Sequence, residues 1–259
     1  MSSNYLTSTF GLTGRVALIT GAAGGLGYAI AQSLGQAGAS VVINDLDPQA
    51  CRSAAERLQK LGIATYSSSF DVSDPKAVQA GVDELAAQGL GIDILVSNAG
   101  NQNRKAVIDM QADEWDALMR VHVNGAFNCA RAVLPGMCNK GFGRLVLMSS
   151  VAGQAAMPGI AAYATAKGAV AAFSRAIAVE YGGKGITCNA LAPGFVRTGF
   201  TQGLQEKPEF QEFLQSSVPA GRWGEPQDVA PAVVYLASAA GAFVNGHLLA
   251  IDGGLLAHM

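Results

Sequence analysis

Short apolar runs alternate with longer amphipathic stretches along most of the chain. The apolar runs lack the polar alternation of a half-exposed strand and predict strands buried on both faces; they lie at 16–20, 41–45, 64–70, 92–97, 144–150, 185–191 and 247–252. Hydrophobic positions with helical spacing predict helices at 27–38, 48–61, 74–88, 113–135, 161–182 and 226–238. Strands separated by helices pair in parallel through right-handed crossovers. The pattern therefore predicts an α/β fold of the doubly wound, Rossmann type, with helices on both faces of one parallel sheet.

The same pattern continues from end to end without a break. No stretch rich in proline, serine or charge interrupts it and no internal repeat appears, so we expect a single domain over residues 1–259. The least regular part is about 194–225, which contains Pro208, Pro219 and several glycines. Because long segments without a clear strand often act as lids or binding loops, we expect this one to be the substrate loop.

Composition narrows the classes of function. Half of the 259 residues are hydrophobic, 14% are charged, and the formal net charge is −2. Lysine and arginine do not cluster, which excludes a nucleic-acid partner. No apolar run is long enough to span a bilayer and the N-terminal segment does not resemble a secretory signal, so we expect a cytoplasmic protein without a membrane partner. The four cysteines form no C-x-x-C pair and have no histidine at ligand spacing, so we expect no metal site.

A glycine-rich loop at 20–27 follows the first predicted strand and opens the first of these helices. Glycine allows a sharp turn and a close approach of the backbone to a pyrophosphate. The free N–H groups at the start of a helix favour an anion. The strand–loop–helix context therefore predicts a dinucleotide site; its contacts are Gly21, Gly24, Gly25, Leu26 and Gly27.

An acidic residue at the end of the second strand predicts which dinucleotide binds. Asp45 follows Gly27 by 18 residues, and the next residue, Leu46, adds no positive charge. A carboxylate at this point accepts hydrogen bonds from ribose hydroxyls and repels a 2′-phosphate. We therefore expect NAD rather than NADP, with Asp45 and Leu46 beside the adenosine ribose.

A tyrosine and a lysine spaced for one helix face predict the chemistry. Tyr163 and Lys167 lie four residues apart, and Ser150 ends the preceding strand. A hydride transfer between an alcohol and a ketone needs a group that moves a proton at the substrate oxygen. A neighbouring ammonium favours the phenolate form of a tyrosine, whose ordinary pKa is about 10. Alone, this spacing fits any amphipathic helix; with the loop and Ser150, it predicts an oxidoreductase.

These motifs, in this order, resemble the short-chain dehydrogenase/reductase family over essentially the full length of the chain. The resemblance implies a seven-stranded sheet and a homotetramer. It implies a catalytic tetrad of Asn124, Ser150, Tyr163 and Lys167, in which Asn124 holds a water of a proton relay through Lys167. It also implies further cofactor contacts, with Tyr163 and Lys167 at the nicotinamide ribose; these contacts are Asp71, Val72, Asn98, Ala99, Gly100, Pro193, Gly194, Val196 and Thr198.

The prediction of the substrate rests on fewer residues. Within the family, the chain most resembles gluconate 5-dehydrogenase and related polyol and sugar-acid dehydrogenases. Arg104 could clamp a carboxylate in a forked geometry, and Gln102 and Gln154 could meet hydroxyls. Sugar-acid members often carry a second basic residue where this chain has Asn103, and segment 151–162 is apolar, which leaves neutral polyols open.

Two other functions remain open at this point. One is reduction of a 3-oxoacyl thioester or another carbonyl, against which Asp45 argues because such reductases generally use NADPH. The other is a non-catalytic protein that senses NAD, against which the complete set of catalytic residues argues. We expect a small-molecule alcohol or ketone as substrate.

Overall fold

The computed structural model describes residues 2–258; of the predicted domain, only Met1 and Met259 lie outside the described residues. Its centre is one parallel sheet of seven strands in the order β3-β2-β1-β4-β5-β6-β7. The strands are β1 (Val16–Thr20), β2 (Ser40–Asn44), β3 (Thr65–Ser67), β4 (Ile94–Ser97), β5 (Gly143–Met148), β6 (Ile186–Pro193) and β7 (Leu248–Ile251). The predicted doubly wound α/β fold is thus confirmed.

Helices cover both faces of this sheet. They are α1 (Ser2–Phe10), α2 (Gly25–Gln36), α3 (Pro48–Gln59), α4 (Pro75–Ala87), α5 (Ala112–Met119), α6 (Gly125–Lys140), α7 (Ala161–Tyr181), α8 (Gln202–Gln205), α9 (Pro208–Ser217), α10 (Pro226–Ala237) and α11 (Leu255–His258). Among the residues described, no helix is both long and apolar enough to cross a membrane.

The continuous apolar runs follow from burial on two sides. Leu18 and Ile19 are neighbours in β1 and both are fully buried, yet they belong to different core clusters. Successive side chains of a strand point to opposite faces, so Ile19 packs toward α2 and α10, and Leu18 packs toward α4, α6 and α7. A polar residue at either position would lack a hydrogen-bond partner.

The order of the strands creates a crevice. β1 pairs in parallel with both β2 and β4, so the chain leaves the centre of the sheet first to one side and then to the other. Ligands of doubly wound sheets bind at this switch point, outside the carboxyl ends of the strands. The loops that follow β1, β2, β4, β5 and β6 all meet there.

Two predicted segments differ from the structure. The predicted helix at 113–135 contains a five-residue π-helical turn, Arg120–Asn124, between α5 and α6. The segment 194–225, predicted as irregular, contains α8 and α9. Pro208 starts α9, where its missing N–H costs nothing, and Phe210 and Leu214 form the buried face of that helix.

Candidate active site

A single cavity of about 570 Å³ lies at the carboxyl ends of the strands. Every residue predicted to contact the cofactor lines it: Gly21, Gly24, Gly25, Leu26, Gly27, Asp45, Leu46, Asp71, Val72, Asn98, Ala99, Gly100, Tyr163, Lys167, Pro193, Gly194, Val196 and Thr198. Ser150, Gln102 and Arg104 line it as well. The sheet therefore gathers residues from six separate loops into one site.

The glycine loop requires glycine where its backbone turns and where it packs against Asn98. Gly21 and Gly25 have φ angles of +61° and +54°, in the left-handed region that favours glycine. A Cβ on Gly27 would lie 2.3 Å from the Gly21 carbonyl oxygen and 2.7 Å from the Asn98 amide nitrogen. The close approach brings the first N–H groups of α2 to the cavity, where they can hold a pyrophosphate.

Asn98 holds this loop from the end of β4. Its side-chain amide donates hydrogen bonds to the carbonyl oxygens of Thr20 (3.0 Å) and Gly21 (2.9 Å). In return, the Thr20 hydroxyl accepts hydrogen bonds from the backbone N–H groups of Asn98 and Ala99, each at 3.0 Å. The loop and the strand end are therefore fixed to one another without any ligand.

Two backbone hydrogen bonds orient the Asp45 carboxylate beside the glycine loop, at the rim of the cavity that follows β2. One carboxylate oxygen accepts from the Ala23 N–H at 3.2 Å, and the other accepts from the Leu46 N–H at 2.9 Å. Asp45 lines the cavity, and each of its carboxylate oxygens can accept a further hydrogen bond from a ribose diol.

A cation that the sequence reasoning missed lies next to this rim. Arg57, on α3, donates from Nη2 to the Ala23 carbonyl oxygen at 3.0 Å, and its guanidinium lies 4.3 Å from the centre of the Tyr28 ring. The N–H of the same Ala23 is held by Asp45, so the two opposite charges flank one residue of the loop. Nothing in the local sequence around Asp45 signals this, because the helix brings Arg57 back from a distance.

Lys167 is the most buried charged group of the site. It is 5% exposed, and Nζ donates to the Met148 carbonyl oxygen, at the end of β5, at 2.6 Å. Nζ also lies 5.5 Å from the centre of the Tyr163 ring, as the four-residue spacing on α7 predicts. Burial lowers the pKa of the Lys167 amine to about 7. The group is therefore poised to gain or lose its charge near neutral pH.

Tyr163 and Ser150 meet over the same cavity. Burial raises the pKa of the Tyr163 phenol, while a side-chain hydrogen bond with Ser150 and the positive charge of Arg104 oppose that rise. Ser150 follows β5 directly, and its Oγ also accepts from the Ala152 N–H at 3.1 Å. Two cations therefore lie near the phenol: Lys167, whose Nζ is 5.5 Å from the centre of the Tyr163 ring, and Arg104, whose charge lowers the pKa of the phenol.

His122 belongs to the cavity, although no sequence motif assigns it there. It lines the cavity, is 3% exposed, and its ring meets the Tyr163 ring edge-on. Nε2 lies 2.9 Å from the Asn101 carbonyl oxygen and 3.2 Å from the Asn101 N–H nitrogen, while Nδ1 has no partner within residues 2–258. Burial and, secondarily, Lys167 lower the pKa of His122 to about 3, so the imidazole is neutral.

The structure does not bring Asn124 to the other three predicted catalytic residues. Its side chain is exposed, and it does not line the cavity. Residues two apart on a helical segment face different sides, so if His122 points inward, Asn124 points outward. The spacing of the sequence carries a signal for this: Leu118, His122 and Ala126 are four residues apart and so share one helix face. All three are buried in the structure, so this face is the inner one.

The residues predicted to touch substrate separate into two groups. Arg104 donates from Nε to the Gln102 side-chain oxygen at 3.2 Å, and Gln102 donates in turn to the Phe200 carbonyl oxygen at 3.3 Å. This chain links the loop after β4 to the segment after β6, beside the Tyr163 ring. Gln154, in contrast, is exposed and outside the cavity lining, so it does not join the site.

Comparison with known proteins finds relatives along nearly the whole chain. A family model described as enoyl-(acyl carrier protein) reductase matches residues 21–256. The gluconate 5-dehydrogenase of Gluconobacter oxydans (strain 621H) is 39% identical, over 95% of this chain and 96% of its own.

Two solved structures are similar in both sequence and fold. A gluconate 5-dehydrogenase from Burkholderia cenocepacia J2315, in complex with NADP and tartrate, is 40% identical with a TM-score of 0.95, over 98% of this chain and 99% of its own. A 3-oxoacyl-[acyl-carrier protein] reductase from Brucella melitensis with bound NAD is 36% identical with a TM-score of 0.87, over 97% of this chain and 94% of its own.

Proposed function

Because the chain belongs to the short-chain dehydrogenase/reductase family, we propose that it interconverts a secondary alcohol and a ketone on a polyol, sugar or sugar acid, with NAD as its cofactor. One observation carries the proposal. Ser150, Tyr163 and Lys167 converge in the cavity that the glycine loop also lines.

The residues of the cavity fit a nicotinamide dinucleotide. Gly27 lets the glycine loop pack closely, since a Cβ there would meet the Gly21 carbonyl oxygen. The start of α2 can then receive a pyrophosphate. Asp45 would hold the adenosine ribose, and Lys167 would hold the nicotinamide ribose. When bound, the cofactor supplies or accepts the hydride.

The side chains of the protein handle the proton and the orientation. The Tyr163 hydroxyl donates its proton to the substrate oxygen during reduction and accepts it during oxidation. Ser150 hydrogen-bonds the same oxygen and fixes it beside the phenol. A protonated Lys167 stabilises the phenolate that forms when Tyr163 gives up its proton.

The choice of NAD rests on Asp45. The solved relatives include three with NADP bound and one with NAD bound, so membership of the family does not decide between the two dinucleotides. A 2′-phosphate next to the Asp45 carboxylate would meet like charge, which costs binding free energy. Arg57 on the other side of Ala23 reduces this repulsion without removing it.

Arg104 supports an acid as the substrate. It lines the cavity, its charge acts on the Tyr163 phenol, and its Nε donates to Gln102. Within the described part of the chain its terminal nitrogens have no hydrogen-bond partner, so they can form the paired hydrogen bonds that a carboxylate prefers. The gluconate 5-dehydrogenases among the relatives act, by name, on such an acid.

Reduction of a 3-oxoacyl thioester is the second candidate. The similarity to the Brucella reductase and the description of the matching family model favour it. In that case a thioester, which lacks the carboxylate, would be the better substrate.

A panel assay tests the proposal. NAD reduction is followed with polyols, sugar acids and 3-hydroxyacyl thioesters, and the sugar acids should be oxidised fastest. Tyr163→Phe should abolish turnover while NAD still binds, as measured by calorimetry. Full activity in Tyr163→Phe would refute the assigned proton donor, and turnover of thioesters alone would select the second candidate.

We also propose a cytoplasmic homotetramer. Phe127 on α6 and Val179 on α7 are 47% and 87% exposed in the single chain, and such apolar groups are suited to subunit contacts. Light scattering should give the mass of four chains; a stable, active monomer would refute this.

A further inference from the structure

The end of the cavity beyond Ser150 and Tyr163 has an apolar wall. Three separate parts of the chain contribute to it: the segment after β5, the segment after β6 and the last helix. We call this surface the apolar wall; its members are Val151, Met157, Ile160, Phe195, Leu204, Phe213 and Leu255.

The wall is backed by a fixed aromatic cluster. The Phe195 ring lies 4.9 Å from the Phe210 ring and 5.7 Å from the Phe213 ring, both edge-on. Behind them, Trp223 is 3% exposed and its ring lies 5.3 Å from that of Phe210. Met157, Leu204 and Phe213 are only partly buried, so their remaining apolar surface faces the cavity.

Charge at this end is limited to one side chain. Of the described residues that line the cavity, Asp45, Asp71, Arg104 and Lys167 carry formal charge. The two acids follow β2 and β3 at the adenine end, and Lys167 is buried beneath Tyr163. Arg104 therefore remains as the charged contact for a substrate.

A substrate that is hydroxylated along its whole length does not match such a surface. A hydroxyl placed against the wall gives up hydrogen bonds to water and gains none in return. The Thr201 hydroxyl, which also lines the cavity, already donates to the Val196 carbonyl oxygen at 2.7 Å. An alkyl or aromatic group, in contrast, gains from leaving water.

We infer that the substrate is an amphipathic hydroxy acid, with its carboxylate at Arg104, its secondary hydroxyl at Ser150 and Tyr163, and an apolar arm against the wall. The inference rests on the proposed function, since it assumes that the hydride transfer takes place at Tyr163. It narrows the proposed substrates to acids that lack hydroxyls on the far side of the reacting carbon.

The test is a homologous series of hydroxy acids. The distance between the carboxylate and the secondary hydroxyl is held fixed while the alkyl end grows by one methylene at a time, and the series is repeated for three such distances. Gluconate is measured beside them, all with NAD. We expect kcat/KM to rise about fourfold per methylene until the wall is filled, and to exceed the value for gluconate.

Two variants connect the effect to the wall. Met157→Gln keeps the length of the side chain and adds polarity, and should reduce the gain per methylene without changing the KM for NAD. Leu204→Asn is a second such change in another part of the wall. Met110→Gln is the matched control, because Met110 is also partly buried but packs against the cluster of Leu118, Ala162 and Ala166 and lies outside the cavity lining; it should leave the gain unchanged.

The possible outcomes distinguish failure of the apolar arm from failure of the proposed function. If gluconate is the better substrate and added methylenes bring no gain, the apolar arm is refuted and the proposed function stands. If no acid in the panel reacts although NAD binds, the amphipathic acid is refuted; if the polyols and sugars also fail to react, the proposed function is refuted with it. A gain that is equal in Met157→Gln, Leu204→Asn and the unchanged protein would refute the wall as its cause.

Discussion

The imidazole of His122 meets the aromatic ring of Tyr163 edge-on, with ring centres 5.5 Å apart and planes at 86°. Edge-to-face contact of this kind favours one orientation of the ring. Through Nε2 the same imidazole is bonded to the backbone of Asn101. His122 thus connects Tyr163, the proposed proton donor, to the loop after β4, which also carries Arg104.

The first prediction concerns this connection. We expect His122→Ala to lower kcat by about tenfold, since a small displacement of a reacting group costs that much or more, with a smaller change in the KM for NAD. His122→Asn retains a donor and an acceptor for Asn101 and should recover much of the loss. Steady-state kinetics measure both variants.

An exposed histidine offers the matched control. His247→Ala, on the surface, should leave kcat unchanged. A normal kcat in His122→Ala would mean that the contact with Tyr163 has no role in positioning.

The second prediction concerns the choice between dinucleotides. Asp45→Ala removes the repulsion of a 2′-phosphate, so the ratio of kcat/KM for NADP to that for NAD should rise by about tenfold or more. Adding Arg57→Gln should reverse part of this rise, because the cation next to Ala23 is then lost. If the double variant matches Asp45→Ala, Arg57 does not reach the phosphate.

The third prediction compares two glycines of one loop. Gly27→Ala forces a Cβ to within 2.3 Å of a carbonyl oxygen, and should lower the free energy of unfolding by about 1–3 kcal/mol and weaken NAD binding. Gly24→Ala has no atom within 4 Å of its new Cβ and an extended backbone, so its melting temperature should stay that of the unchanged protein. Equal destabilisation of the two would contradict the packing argument.

The fourth prediction follows from the pKa of about 7 at Lys167. In the unfolded chain a lysine titrates near 10.4, so between about pH 7 and 10 the unfolded state binds more protons. The free energy of unfolding of the unchanged protein therefore rises with pH in that window relative to that of Lys167→Met, by at most about 1.4 kcal/mol per pH unit. Denaturant unfolding of both proteins at several pH values measures the difference, and parallel curves would contradict the assigned pKa.

Local patterns predicted the parts of the site that depend on local rules. The Thr20–Gly27 loop was found because strand, glycines and helix follow directly in sequence. Tyr163 and Lys167 were found because helix spacing alone puts them on one face. Both predictions survive any error of a few residues in the element boundaries.

The sequence does not predict the residues whose place in the site depends on the direction of a side chain or on a contact between distant segments. The family resemblance assigns the fourth catalytic position to Asn124, whereas the phase of the helix turns His122 inward. Arg57 reaches the glycine loop only through the tertiary packing of α3. Prolines and glycines between 194 and 225 indicate an irregular segment in the sequence, whereas in the structure Pro208 begins a helix.

The π-helical turn at Arg120–Asn124 gives the chain an unusual sensitivity to length. One residue advances an α-helix by about 100°, so deleting a single residue here would rotate everything that follows unless the turn rewound to absorb it. Cys129 and Val133, which are buried on α6, and His122 in the cavity could not then all keep their places. Insertions and deletions that are tolerated elsewhere on the surface should therefore not be tolerated in this turn. The packing of the core and the position of His122 in the cavity both depend on the number of residues that it contains.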